Sequence, residues 1–342
     1  MILLKKQQML DELTKPKYSF LKDINKILLV PAGSISYGTN VDYITKDGSH
    51  YISDFDIRGI FLDSKESIFG FKKQTDFAIN NDEVDCALYS LKRILQLLES
   101  CNPNAMEIIG NNDNNILYET ECSKLLKQNA SLFVTKKAIN SFGKYAATQT
   151  RRLRNALARD SFDQTEKENN IRLSLQANMS DLKKMYSHFS DDDVKLYIDK
   201  SIREDMDSEL FMDIKLNHFP LRDYANIMNS MTNTIRNFSK LNHRNRKKDD
   251  LHLYKHAMHL VRLQMMLYYI LSEGLILTYL PEEDRNVLMD IRMEKYSFDE
   301  IFKINDEWIK RNTKLAETTK LNDYINSEKL DALAVELFSF FY

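Results

Sequence analysis

Glycine and proline are scarce in this sequence, with eight and five among 342 residues, about a third of the usual share. Strands of a sandwich or barrel need turn residues between them, so an all-β fold is excluded. Abundant Leu, Lys, Glu and Met favour helix instead. The length exceeds one small module and suits two domains. Hydrophobic residues at 43% and charged residues at 29% mark a globular chain and not a disordered one.

Forty-eight basic and fifty acidic side chains give a net charge of −2. That argues against a protein that coats nucleic acid, while leaving room for a local basic groove. Cys86, Cys101 and Cys122 show no CxxC spacing, which argues against a disulfide framework or a structural zinc. No apolar run approaches the roughly 18 residues of a membrane span. The start, MILLKKQQML, is too short in apolar residues for a signal peptide. The expectation is a cytoplasmic protein with no membrane span.

The first 120 or so residues mix strands and helices. The pattern predicts a helix over 3–14, strands at 26–30, 55–62, 74–79 and 84–88, and a hairpin over 43–52 around Asp47-Gly48. Helices follow at 88–100 and 103–110, the latter with Pro103 at its first position. From about 135 onward every periodic segment reads as helix: 136–160, 165–190, 223–240, 252–273, 281–292, 297–320 and 327–341. Two domains are expected, 1–130 and 131–342. A basic run, HRNRKK (243–248), marks the main loop of the second and could meet a nucleic acid or stay solvated.

Gly33-Ser34 follows the first strand, and Asp54-Phe55-Asp56 opens another. Carboxylates two apart on a strand point the same way and repel unless a cation lies between them. Magnesium suits such a pair, because it takes oxygen ligands and keeps positions open for phosphates. A Gly-Ser turn into a helix offers N–H groups and a hydroxyl to a phosphate. A carboxylate on a neighbouring strand would complete a second metal site. Asp85 is the candidate, with Asp82 and Glu83 as rivals. A DxD of this kind also occurs by chance in solvated turns, and Gly-Ser alone says little.

GSISYGTN…SDFDIRGIF resembles the signature of the DNA polymerase β nucleotidyltransferase superfamily, and more narrowly its RlaP or YcgL-like branch. CNPNAMEIIG (101–110), KHAMHLVRL (255–263) and GLILTYLPEEDRNVLMDIR (274–292) extend the resemblance over most of the chain. It implies an α+β fold: a mixed sheet with flanking helices carrying the active site, followed by a mostly α-helical domain that binds nucleotide and acceptor. It implies nucleotidyl transfer from a nucleoside triphosphate to a hydroxyl with two Mg2+ ions. Gly33 and Ser34 would hold the triphosphate, and Asp54, Asp56 and Asp85 would be the catalytic, metal-binding carboxylates. The stretch from Ser34 to Asp54 is longer than the family's spacing. Its hairpin either shapes the acceptor site or is a neutral surface insertion.

Lys255, His259 and Arg262 fall at i, i+4 and i+7 on one helix stripe. They would meet phosphates, or form an ordinary solvated face. Tyr145, Gln149 and Arg152 share a stripe of another helix, where Tyr145 could stack on a base and Arg152 bind phosphate, or simply pack and solvate. Asn102 suits an N-cap, with Glu107 structural. Tyr342 ends the chain on a hydroxyl that could serve as a tethered acceptor, or merely dock with the residues before it.

The expected activity is therefore template-independent transfer of an NMP or dNMP to a nucleic-acid 3′ end or growing oligonucleotide. Self-priming at Tyr342 and a role in defence against phage are its extensions. One alternative is nucleotide transfer onto a partner protein, as in toxin–antitoxin systems. The other is a nucleotide-sensing module without catalysis.

Overall fold

In the computed structural model, the described residues are 6–44, 48, 50–73, 75–81, 83–161, 194–200, 208–215, 220–221, 224–225, 232 and 250–342. They divide into two compact units, one of Met1–Leu153 with Asp250–Tyr342 and one of Arg154–Asp249. The sequence reading put a single boundary near 130. The contacts instead join the helices after 250 to the N-terminal sheet.

In the first unit, α1 (Lys6–Leu13) precedes β1 (Lys26–Pro31), α2 (Gly33–Tyr37), β2 (Asp42–Ile44), β3 (His50–Ile52) and β4 (Asp56–Phe61). Then come α3 (Lys65–Ile68), β5 (Phe77–Asn80), β6 (Asp85–Ser90), α4 (Leu91–Glu99), α5 (Pro103–Ile109), β7 (Tyr118–Glu119), α6 (Glu121–Gln128) and α7 (Lys137–Ser161). The five-stranded sheet has the order β5-β6-β4-β1-β7. It is mixed: β1 runs antiparallel to β4, and β4 runs parallel to β6 with Asp56 opposite Asp85.

The strands are short apolar runs, and their alternation sorts two faces. Leu29, Ile57, Phe61, Cys86 and Leu88 point into a core closed by Met9 of α1 and by Tyr18 and Leu21 of the following turn. Asp56, Arg58 and Asp85 belong to the opposite parity, so one end of that other face carries the charge. β2 and β3 form a separate two-stranded ribbon between β1 and β4. This is the expected hairpin.

Helix starts follow side-chain caps. Ser90 ends β6 and accepts a hydrogen bond from the Arg93 N–H, so the helix expected from 88 begins at Leu91. Asn102 accepts from the Asn104 and Ala105 N–H groups with Pro103 in the first turn. That is the N-cap read from the sequence, since its side chain satisfies donors the helix leaves open.

The four later helices of this unit are α8 (Asp250–Glu273), α9 (Glu282–Arg292), α10 (Phe298–Thr318) and α11 (Ser327–Phe338), after β8 (Val194–Lys200) and β9 (Ser208–Ile214) of the second unit. α8 is the buried one. Ala257, Met258, Leu260, Val261, Leu263, Met265 and Met266 are all at most 1% exposed. A helix apolar on several sides must be covered on several sides, and α8 packs against both α9 and α10. No helix among the described residues is long and apolar enough to cross a membrane.

In the second unit, β8 and β9 pair antiparallel from Val194↔Ile214 to Lys200↔Ser208. The sequence reading had only helices in this half. Alternating Val194, Leu196 and Ile198 carried the period-two signal that the helical context hid. The helices expected at 165–190, most of the one at 223–240, and the HRNRKK run lie outside the described residues.

Candidate active site

Topology brings the two sequence motifs together at one end of the sheet. β1 ends at Pro31 beside the start of β4, where the Ala32 N–H donates to the Asp56 carbonyl at 2.9 Å. The next residue, Gly33, opens α2 with φ +59°. A Cβ there would lie 2.7 Å from Asp56 Oδ2. Glycine is thus required twice, for the left-handed backbone and for the close approach. Gly33→Ala is expected to destabilise the fold by at least ~1–2 kcal/mol, the left-handed penalty alone, read as a lower urea midpoint with an unchanged slope. Ser34 follows in the first turn and is 4% exposed.

Asp54, Asp56 and Asp85 gather here with two cations. Asp54 is exposed and pairs with Lys255 Nζ at 3.6 Å. Asp85 Oδ1 accepts from Arg58 Nη1 at 2.9 Å. Asp56 sits between them. Burial, then the Asp85 charge, then that of Asp54 push its pKa up, against the pull of Arg58 and Lys255. Burial works to lower the Arg58 pKa, but its bond to Asp85 and the nearby Asp56 charge raise it on balance.

Arg58 was missed in the sequence, although its signal was present. Asp56 and Arg58 share one face of β4, with Asp54 in the loop just before it. Of the two rivals to Asp85, Glu83 is exposed in the loop before β6 and Asp82 lies outside the described residues.

Among the described residues no group of three or more His, Cys, Asp or Glu side chains is drawn together closely enough to hold a metal ion. The donor chemistry nevertheless fits a divalent ion. Mutually repelling carboxylates, one of them with its pKa raised by burial, are what a hard cation with oxygen ligands relieves.

The stripe on α8 descends from this site into the core. Lys255 reaches Asp54. His259, one turn on, meets the Tyr37 ring edge to face at 5.5 Å. Burial, then the charges of Arg262 and Lys255, hold the His259 pKa well below its usual 6.5, so the ring is neutral at physiological pH.

Arg262 is 3% exposed. Its Nη2 binds Glu107 Oε1 at 2.7 Å, and its guanidinium lies 3.6 Å from the Tyr37 ring centre. The Tyr37 hydroxyl donates to Glu107 Oε2 at 2.7 Å. This closed Tyr37–Glu107–Arg262 cluster fastens α2 to α5 and α8. Of the three expected phosphate binders, the structure therefore brings only Lys255 to the carboxylates.

Tyr145 is 39% exposed and within electrostatic reach of Tyr37 and Arg262. The Arg152 side chain lies outside the described set. Tyr342 is docked elsewhere: its hydroxyl donates to the Asp63 carbonyl, and its ring meets Phe69. Asp63 follows the far end of β4. Asp56 lies at the opposite end of that strand.

Residues 21–189 match the model of the RNA repair pathway DNA polymerase beta family. No curated protein and no solved structure gave a match. The mixed sheet and this match are consistent with a nucleotidyltransferase of the DNA polymerase β superfamily.

Proposed function

We propose that the protein transfers a nucleoside monophosphate from a nucleoside triphosphate to the hydroxyl of a separate acceptor, a nucleic-acid 3′ end or growing oligonucleotide. The observation that supports this is Asp56 opposite Asp85 at one end of the sheet, against the Gly33 backbone, with Asp54 within electrostatic reach. Asp54, Asp56 and Asp85 would hold magnesium, which supplies charge neutralisation to the triphosphate and acidity to the acceptor hydroxyl. The N–H groups at Gly33 and Ser34 face the phosphates. Lys255 adds positive charge at the exposed side of the site.

In the reaction the acceptor oxygen bonds to the α-phosphorus while the α–β bridging P–O bond breaks. Pyrophosphate leaves with that electron pair. The hydroxyl proton passes to Asp85, where Arg58 holds Oδ1 and leaves Oδ2 to receive it. Arg58 is a positioning residue that fixes the carboxylate. Tyr342 is docked on Asp63 and Phe69, beyond the end of β4 opposite Asp56, which favours an external hydroxyl as acceptor over the chain's own terminus.

Incubation with magnesium and each labelled NTP or dNTP, with and without RNA and DNA oligonucleotides, tests this. Denaturing gels and intact-protein mass spectrometry give the readout. Oligonucleotide extension with unchanged protein mass is expected. A protein mass rising in nucleotide steps would move the acceptor onto protein. No incorporation with any nucleotide would overturn the transfer reading.

A further inference from the structure

Arg292, in the last turn of α9, is 4% exposed. Nη2 donates to Ser53 Oγ at 3.2 Å, while Nη1 is buried with no hydrogen-bond partner. The Tyr51 hydroxyl of the β2–β3 ribbon hydrogen-bonds the guanidinium, and Tyr43, Asp54 and, on α8, His259 lie within electrostatic reach. Asp54 is the carboxylate that acts on it among the described residues, and Asp54 is paired with Lys255. Burial outweighs these neighbours and lowers the Arg292 pKa.

A buried guanidinium normally finds a carboxylate, because taking its charge out of water is costly when nothing compensates. This one has two tyrosines and a serine instead, one residue away from the DxD pair. Ser53 is itself only 6% exposed and adjoins Asp54, whose side chain is 74% exposed, so a ligand coming from the Asp54 side reaches Nη1 only when the ribbon shifts. The ribbon above it is two three-residue strands with no third strand, an element that shifts at little cost. The ribbon is also the stretch that lengthens the spacing between the Gly-Ser and DxD motifs.

We infer that Arg292, with Ser53 and the tyrosines of the ribbon, is a phosphate-binding subsite of the active centre, in which a phosphate oxygen completes Nη1. This rests on the nucleotidyl-transfer reading. The insertion then has a purpose: it builds the wall of this subsite. The phosphate has two possible sources, the polyphosphate tail of the nucleotide or the backbone of the acceptor. An arginine suits either, since its fork matches phosphate oxygens.

The test compares the full chain with Arg292→Met and Arg292→Lys by thermal unfolding and binding. The probes are magnesium with pyrophosphate and, separately, with a 5′-phosphorylated dinucleotide. The wild-type midpoint is expected to rise by about 5 °C at saturation with at least one probe. Without probe, Arg292→Met is expected to melt no lower than wild type, because an uncompensated buried charge is gone.

With the effective probe, Arg292→Met should lose the rise and bind at least about 10-fold more weakly, and Arg292→Lys should keep part of it. Loss confined to pyrophosphate assigns the triphosphate tail. Loss confined to the dinucleotide assigns the acceptor. A lower midpoint for Arg292→Met with an undiminished rise would make the arginine structural and overturn the subsite, as would a wild type that neither probe stabilises. Intact phosphate effects with no nucleotide incorporation would overturn the transfer reading and leave the subsite standing.

Discussion

The protein carrying both Asp54→Asn and Asp56→Asn is expected to release no measurable pyrophosphate, at least ~10³-fold below wild type, yet to melt no lower than wild type. The two effects share a cause. Asp56 is buried against Asp85 and Asp54, and its pKa is raised in the folded chain. The folded state therefore holds this proton more tightly than the unfolded state does. Its contribution to stability is fully present below the ordinary aspartate value of 3.8. It is lost as pH rises through the folded value, and the penalty then stays constant to neutral pH.

Asparagine removes that penalty along with the negative charge that would hold a cation. Unfolding midpoints measured from acid to neutral pH check the sign: the decline assigned to Asp56 should be missing from the double variant. Surviving turnover, or a midpoint several degrees lower at pH 7, would contradict the assignment.

Arg262→Ala has the second large expected effect, and it falls on stability. The guanidinium is bound to Glu107 at 2.7 Å and stacked on Tyr37, with the Glu107 side chain only 17% exposed. Cutting one partner of a buried pair leaves an uncompensated charge and costs about 3–5 kcal/mol. In a chain of this size that is a midpoint about 10 °C lower. A phosphate-binding arginine on an open surface would cost under about 0.5 kcal/mol on truncation. Urea unfolding therefore separates the two roles. A double-mutant cycle with Glu107→Ala should show strong coupling; additive losses would argue against the cluster.

The residues that define the site were legible because their signals are local. Gly33 before a turn and Asp54-x-Asp56 at a strand start need only the period of a strand and the freedom of glycine to be read. The end of the sheet that unites them with Asp85 comes from pairing register, which no local pattern fixes. Lys255, His259 and Arg262 show the limit of helical periodicity. The stripe is real, but periodicity does not say how deep each turn lies. One end meets Asp54 and the other is sealed against Glu107, 155 residues away in sequence. Arg58 and Arg292 were passed over. Both stood inside quoted segments; Arg58 shares its strand with Asp56, whereas Arg292 acquires its place only when α9 packs beside Ser53.

The most direct test of the account is a calorimetric titration with the α,β-methylene analogue of each nucleoside triphosphate. Wild type and the Asp54→Asn, Asp56→Asn protein would be compared with and without magnesium. The account predicts that wild type binds at least one analogue only with magnesium present, and that the double change weakens this binding at least about 10-fold. Equal affinity in both proteins, or affinity indifferent to magnesium, would contradict the claim that this end of the sheet is where the nucleotide is held.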